Sequence, residues 1–396
     1  MSVNPNISFD NLEVAFASKS DAELRKMYFI FATMNNNMAV KLGIKLTELG
    51  FKFRLPIKGA LKATMFGHFC GGETIADCQK SVDELSKFNI KSILDYSVEG
   101  KGNEESYERT KNEILETIKR AAGDADMPFA VFKVTGLGDY RIMTKIQAGK
   151  SLNDKEKKSF EKLKERVDVL CRAAYEDKVG ILVDAEESWF QDVIDEMAYE
   201  AMAKYNKETC IVYNTYQMYR HDMLRRLKDA HHDAVSKGYF LGAKLVRGAY
   251  MEKERDRAEE KGYPNPIQPS KQATDDDYNE ALKFCLNNKQ RIYLISGSHN
   301  ELSNIILTEL MALHGLKTND ERVYFAQLYG MSDNISYNLA HEGYNVVKYV
   351  PYGPVEAVMP YLSRRAEENT SIAGQSSREF DLIKKEINRR KQIKSN

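Results

Sequence analysis

Eight short apolar, β-branched runs recur along the chain, at residues 91–96, 129–134, 180–183, 210–213, 240–246, 291–295, 322–325 and 345–350. Each is followed by a polar or glycine-rich loop and then by a stretch of helical periodicity. Strands separated by helical crossovers run parallel, because the crossover returns the chain to the same end of the sheet. Eight such units suit a closed (β/α)8 barrel of the TIM type. An open doubly wound sheet is the alternative that the pattern leaves standing. The chain thus divides into an N-terminal helical arm over 1–88, a barrel over 89–377 and a basic tail over 378–396.

The flanks read as helical. Asp10 is placed to cap Leu12-Glu13-Val14-Ala15-Phe16, and Ser20 or Asp21 to cap a long helix through Glu48, stopped by Gly50. Gly67-His68-Phe69-Cys70-Gly71-Gly72 reads as a break before an amphipathic helix near 75–88. In the lysine- and arginine-rich tail, Phe380, Ile383 and Ile387 stand at roughly helical spacing. The tail reads as a solvated terminal helix. Peripheral contact with a membrane is the alternative, which needs an apolar face beside the basic one.

With 396 residues, 42% hydrophobic and 29% charged, the chain is expected to be a water-soluble protein with one large barrel and an appendage, or two domains. Lys+Arg and Asp+Glu balance at 58 each, so no global field draws nucleic acid. Cys70, Cys78, Cys171, Cys210 and Cys285 form no C-x-x-C pair. An odd, sparse set reads as reduced thiols in a cytoplasmic compartment. The first residues lack the basic-then-apolar run of a signal peptide, and Asp10 and Glu13 disfavour a transit peptide. No apolar run reaches the ~18–20 residues of a membrane span. The expectation is a cytoplasmic protein, soluble or peripheral to the inner membrane.

In a parallel barrel the chemistry gathers at the C-terminal ends of the strands. Polar residues stand there where a buried strand calls for apolar ones. Lys133 ends Phe129-Ala130-Val131-Phe132, Asp184 follows Ile181-Leu182-Val183, Asn214 follows Ile211-Val212-Tyr213, and Lys244 interrupts the fifth run. On successive strands, the four are expected to converge on one rim, with Asp184 pairing Lys133 and keeping it charged. Tyr361, Arg364, Arg365 and Glu368 fall at i, i+3, i+4 and i+7, within roughly a 100° arc of a helix. Adjacent guanidiniums repel unless an anion joins them, and their forked donors suit a substrate carboxylate, with Glu368 orienting one of them. A salt-bridged surface helix is the plainer reading. Lys244-Leu245-Val246-Arg247-Gly248-Ala249-Tyr250 sets cations beside a glycine turn, which suits a cofactor phosphate or a reduced flavin. Ser298-His299-Asn300 forms another polar loop after the sixth run. Gly136-Leu137-Gly138 lacks the third glycine of a dinucleotide fingerprint. No phosphate loop, nucleophile elbow or zinc spacing is found. Rossmann-type cofactor binding and metal-dependent hydrolysis are disfavoured.

At these residues the chain resembles the proline dehydrogenase family, especially its monofunctional, eukaryotic-like branch. The likeness runs from Met65-Phe66-Gly67-His68-Phe69 to Arg378-Glu379. Its most specific pieces are Lys244 to Tyr250, Tyr263-Pro264-Asn265-Pro266 with Lys271 and Thr274, Tyr349-Val350-Pro351-Tyr352-Gly353-Pro354, and the Tyr-x-x-Arg-Arg-x-x-Glu-Asn run ending at Asn369. The resemblance implies a distorted (β/α)8 barrel with its last helix over the mouth, holding non-covalent FAD without a Rossmann unit. It implies that Arg364, Arg365 and Lys133 bind the carboxylate of proline, that Tyr349, Tyr361, Tyr250 and Leu328 wall its ring, and that Asp184 supports Lys133. Asn214, Lys244, Arg247, His299, Asn300 and Thr274 would contact FAD, with Gly248, Ala249 and Ser298 in the same loops. Bifunctional bacterial members carry arginine where Lys244 stands and glutamine where Asn214 stands, so the flavin's hydrogen bonding is expected to differ in detail.

The reaction implied is oxidation of L-proline to Δ1-pyrroline-5-carboxylate by hydride transfer to FAD, with electrons passed to a membrane quinone. A hydroxyproline dehydrogenase of the same superfamily is the nearest rival. That branch tends to carry a smaller residue where Tyr349 stands, so Tyr349 favours proline. A barrel lyase using Lys133 or Lys244 as a Schiff-base nucleophile fits the arginine pair less well. A silent interaction scaffold fits the dense polar rim less well still.

Overall fold

The computed structural model describes residues 7–98, 102–371 and 375–395, with backbone alone for 367–371 and 375–377. Eight parallel strands close into a barrel in sequence order: β1 (Ile90–Tyr96), β2 (Phe129–Lys133), β3 (Gly180–Asp184), β4 (Val212–Gln217), β5 (Leu241–Val246), β6 (Ile292–Gly297), β7 (Val323–Leu328) and β8 (Val346–Tyr352). Closure is made by β1 against β8, in register from Ile90 opposite Val346 to Tyr96 opposite Tyr352. That pairing rules out the open doubly wound sheet.

Side chains alternate along each strand. Ile93, Phe129, Val131, Leu182, Tyr213, Ile295, Ala326, Val347 and Tyr349 fill the interior. Phe129 meets Tyr324 edge-on at 4.9 Å, closing the floor. The alternate residues, such as Ala130, Ile181, Val212 and Leu245, pack outward against the helices.

All eight expected strands are present, but several run further toward their C-terminal ends. β4 continues through Asn214, Thr215 and Gln217, and β7 through Gln327 and Leu328. Polar residues at the mouth hide a strand from a reading based on apolar runs.

The arm differs from expectation in its breaks. Asn11, not Asp10, caps the helix Leu12–Ala15. Ser20 caps Asp21–Met34 in a reciprocal capping box with Glu23. The long helix then divides at Asn35 and Asn36, where Asn36 accepts from the Met38 and Ala39 amides and starts a new helix, Asn37–Lys52. Gly50 lies inside that helix against Ile57 rather than ending it. Within the expected break, Met65–Phe69 is a short helix and the chain opens only at Cys70. A Cβ on Gly72 would stand 2.2 Å from the Asp77 Cβ, so the entry into helix Ile75–Ser86 needs glycine there.

The tail is not a solvated helix. Gln375–Ser395 packs along Asp21–Met34. It buries Leu382 and Ile383 in a second core with Phe31, Phe66 and Tyr361. One of its basic residues turns inward as well: Arg390 donates to the Lys19 and Phe16 carbonyls and pairs with Asp21 at 3.1 Å.

Candidate active site

The inward positions of the strands lead directly to the mouth. Lys133 follows Phe129 and Val131, Asp184 follows Leu182, Lys244 follows Gly242, and Tyr349 follows Val347. Asp184 stands opposite Lys133 in register and accepts from its ammonium at 2.9 Å. It accepts from Lys244 as well, across the barrel interior. Lys244 also donates to the Tyr349 hydroxyl at 2.8 Å. Burial alone would raise the Asp184 carboxyl, but the two ammonium groups outweigh it and hold it down at about 2. Burial also opposes the charge on Lys133, yet Asp184 and then Asp95 outweigh it and raise the lysine. On the more enclosed Lys244 burial prevails over Asp184, and its affinity for a proton falls.

Asp95 belongs to this group and was missed. It lies 3.9 Å from Lys133 and accepts from the Ser97 hydroxyl at 2.6 Å. Its signal was the same as that of the others, an acid inside the apolar run Ile93-Leu94-Asp95-Tyr96.

Asn214 does not join the rim. Tyr213 faces inward, so Asn214 faces out, where its amide donates at 2.8 Å to Asp195 of the helix Ser188–Tyr205. Its Oδ1 is buried and has no hydrogen-bond partner among the described residues. The inward residues of β4 are Thr215, which donates to the Val183 carbonyl, and Gln217, which donates to the Glu186 carbonyl. Convergence of four polar strand ends is thus corrected to three: the period of two turns the fourth away.

The helix Met359–Ser371 follows β8. Tyr361 and Arg365 are buried on it and Arg364 is half-buried. The Arg365 guanidinium lies 5.4 Å from the centre of the Tyr361 ring. Burial, and after it the charge of Glu186, raises the Tyr250 phenol, while the cations Lys133 and Arg364 act in the opposite sense. Tyr250 thus lies within electrostatic reach of both cations. Leu328, opposite Tyr349 in register, packs against both the interior and the arm core. The side chain of Glu368 lies outside the described residues.

A second group gathers after β5 and β6. Arg247 donates to Asp275 at 2.7 Å and to the hydroxyls of Ser298 and Ser303 at 2.9 Å each, stacked over Tyr278. Thr274 is the buried neighbour of Asp275. Gly248 has φ +134°, and a Cβ there would stand 2.6 Å from the Tyr219 ring, so only glycine fits; Ala249 beside it is exposed. Asn300 spends its side-chain oxygen on the Ser303 amide, capping helix Glu301–Leu313. His299 Nδ1 meets the Ser332 hydroxyl at 2.8 Å. Burial, reinforced by the charges of Lys348 and Arg365, lowers His299 to about 3, so its imidazole is neutral. Ser332, at φ +51°, gives its amide to Glu379 of the terminal helix. Neither residue carried a sequence signal, because their meeting depends on the docked tail.

The sequence profile described as proline dehydrogenase matches residues 78–378. Proline dehydrogenase 1, mitochondrial, of Dictyostelium discoideum is 34% identical over 422 residues, covering 95% of this chain and 74% of that protein. Hydroxyproline dehydrogenase of Xenopus laevis is 31% identical, covering 95% and 88%. Among solved structures, proline utilization A of Bdellovibrio bacteriovorus, inactivated by N-propargylglycine, superposes with a TM-score of 0.72 at 22% identity. That match spans 91% of this chain and 38% of the larger protein. The barrel, its polar mouth and these matches agree: the chain belongs to the proline dehydrogenase family.

Proposed function

We propose that this chain oxidises L-proline to Δ1-pyrroline-5-carboxylate at the barrel mouth, with FAD bound there non-covalently and a membrane quinone as the final acceptor. One observation carries the reading: Lys133, Asp184 and Lys244 form a single ion network inside the barrel, and the helix that follows β8 carries Arg364 and Arg365. FAD supplies a hydride acceptor when bound. The residues present fit it: a buried cation at Lys244, the polar loop Ser298-His299-Asn300, and an exposed glycine turn at Gly248. Thr274, Arg247 and Ala249 lie along the same edge. Asn214 fits less well, since its amide faces Asp195, and Gln217 is the better-placed amide of β4.

Arg364, Arg365 and Lys133 hold the substrate carboxylate with charge-assisted bonds. Asp184 keeps Lys133 protonated and fixed, so the cation needs no reorganisation when substrate arrives. Tyr349, Tyr361, Tyr250 and Leu328 exclude water and limit the ring's size. With the carboxylate fixed at one end, the C5–H bond is held in one direction, which is the near-attack requirement. The C5–H bonding pair leaves as hydride while the unprotonated amine nitrogen forms the C=N bond; the amine's earlier proton goes to solvent.

The Xenopus relative makes hydroxyproline the second reading. Tyr349, buried and tied to Lys244, leaves little room for a ring hydroxyl and favours proline. A Schiff-base lyase is disfavoured because Lys133 and Lys244 are both held by Asp184. Cytoplasmic placement at the face of an inner membrane is part of the same proposal; among the described residues no helix is long and apolar enough to cross a membrane.

The test is direct. Acid-released supernatant of the purified protein should contain FAD, and proline with a soluble dye should yield Δ1-pyrroline-5-carboxylate by mass spectrometry. Protein incubated with excess FAD that neither retains it nor forms this product would refute the proposal.

A further inference from the structure

The buried apolar residues of the basic tail, Leu382 and Ile383, are spent on the arm. Another surface leaves its apolar residues exposed. On helix Asn37–Lys52, Met38, Leu42, Leu46 and Leu49 are 80%, 59%, 58% and 47% exposed, and Phe53 and Leu55 just beyond are 66% and 54% exposed. At ~100° per residue the four helical side chains share an arc of about 80°. Val40, on the other side, is buried. Folded proteins rarely leave so continuous an apolar stripe in water. Lys41, Lys45 and Lys52 run along one edge of the stripe, and Arg54 and Lys58 extend it; between residues 37 and 58 the one acid is Glu48. In a chain whose charges cancel overall, this is a local excess of cations.

We propose that residues 37–55 lay this protein on an anionic lipid surface, with the apolar stripe at the acyl boundary and the cations at the level of the phosphates. Charge selects this occupant. A second copy docked by two-fold symmetry would set the same cations against themselves, whereas anionic headgroups neutralise them. Lysines at the edge of an apolar stripe have stems long enough to follow it inward while their ammonium groups stay wet. The same helix packs against Met359–Ser371, the helix that carries Tyr361, Arg364 and Arg365. Attachment through residues 37–55 therefore sets the barrel mouth beside the lipid, within reach of an acceptor dissolved there. That last consequence rests on the proposed oxidation of proline; the attachment itself does not.

The experiment uses the full-length, FAD-loaded protein and phosphatidylcholine vesicles with or without phosphatidylglycerol. Co-sedimentation is expected with the anionic vesicles, and at least tenfold weaker binding to the neutral ones or in high salt. Leu42→Glu/Leu46→Glu should reduce it to background and Lys41→Glu/Lys45→Glu at least tenfold, both retaining proline oxidation with a soluble dye. Vesicle binding by Leu42→Glu/Leu46→Glu equal to that of the wild type would overturn the proposal, as would a wild type that ignores anionic vesicles. Light scattering that shows an oligomer turned to monomer by the same variants, without lipid binding, would make the stripe a contact between copies and overturn it too. Vesicle binding without any dye-linked oxidation would uphold the attachment and refute the catalytic reading alone.

Discussion

Lys244 on β5 donates a 2.8 Å hydrogen bond to the hydroxyl of Tyr349 on β8, joining two non-adjacent strands across the interior. The bond holds the phenol over the space where the substrate ring is proposed to lie. Tyr349→Ser removes the ring and should raise the kcat/KM for hydroxyproline relative to proline by ~10-fold or more, the scale on which a pocket senses one added group. Tyr349→Phe keeps the ring and should leave that ratio near the wild type. An unchanged ratio in the serine variant would show that Tyr349 does not gate the ring.

Asp184 is the shared partner of two enclosed cations. Removing its charge in Asp184→Asn leaves Lys244 without its carboxylate and Lys133 with Asp95 alone at 3.9 Å, and should destabilise the fold by ~3–5 kcal/mol near neutral pH. Its carboxyl is held at about 2, below the ordinary 3.8. A carboxylate depressed by folding stabilises above its unfolded pKa and loses that contribution as pH falls through the folded one. The shift corresponds to on the order of 2 kcal/mol. Urea midpoints of wild type and variant should therefore converge from about pH 4 toward about pH 2. A constant gap would separate the destabilisation from the charge of Asp184.

Glu379 behaves with the opposite sign. Its carboxyl accepts the Ser332 amide and, at 3.3 Å, the Ser332 hydroxyl, which in turn meets His299. Burial outweighs those Ser332 bonds and raises it to about 7, with Asp333 adding to the rise and Lys348 opposing it. A group raised by folding stabilises below its unfolded pKa, and that contribution is lost as pH rises through the folded one. Glu379→Gln should gain in stability relative to the wild type between about pH 5 and about pH 7, by on the order of 3 kcal/mol, read as a rising difference in thermal midpoint. A difference independent of pH would mean that Glu379 is already ionised at the lower value.

The residues that were legible in the sequence are those whose neighbours lie on the same or the next element. Lys133 and Asp184 stood out because a charge at the end of an apolar run has few structural explanations. Asn214 looked equivalent, but one position of offset sends its side chain to Asp195 and brings Gln217 inward instead. Arg364 and Arg365 were visible through helical spacing alone. Ser332 and Glu379 were not, because they meet only after the chain has closed the barrel and laid its last helix along the arm. The same docking explains the misread tail: Leu382, Ile383 and Arg390 have partners some 350 or more residues away in sequence, beyond any local pattern.

The arginine helix separates this account from a barrel of other purpose. Arg364→Met and Arg365→Met each remove one of the proposed charge-assisted bonds to the carboxylate and should cost ~2–4 kcal/mol in kcat/KM for proline, roughly 30- to 1000-fold. The half-buried Arg364 should change stability by only ~0–1 kcal/mol when replaced. Arg365, buried against Tyr361, should affect both. FAD content should be retained in the two variants, since neither arginine is assigned to the cofactor.

The central claim is that L-proline reduces a flavin held in this mouth through a carboxylate clamped by Arg364 and Arg365. Anaerobic titration of the FAD-loaded protein with L-proline, followed by the flavin absorption band, tests it most directly. The account predicts stoichiometric bleaching in the wild type and bleaching slowed by the factors above in Arg364→Met and Arg365→Met at equal FAD load. A wild-type flavin band untouched by saturating proline, or bleaching at the wild-type rate in both variants, would contradict it.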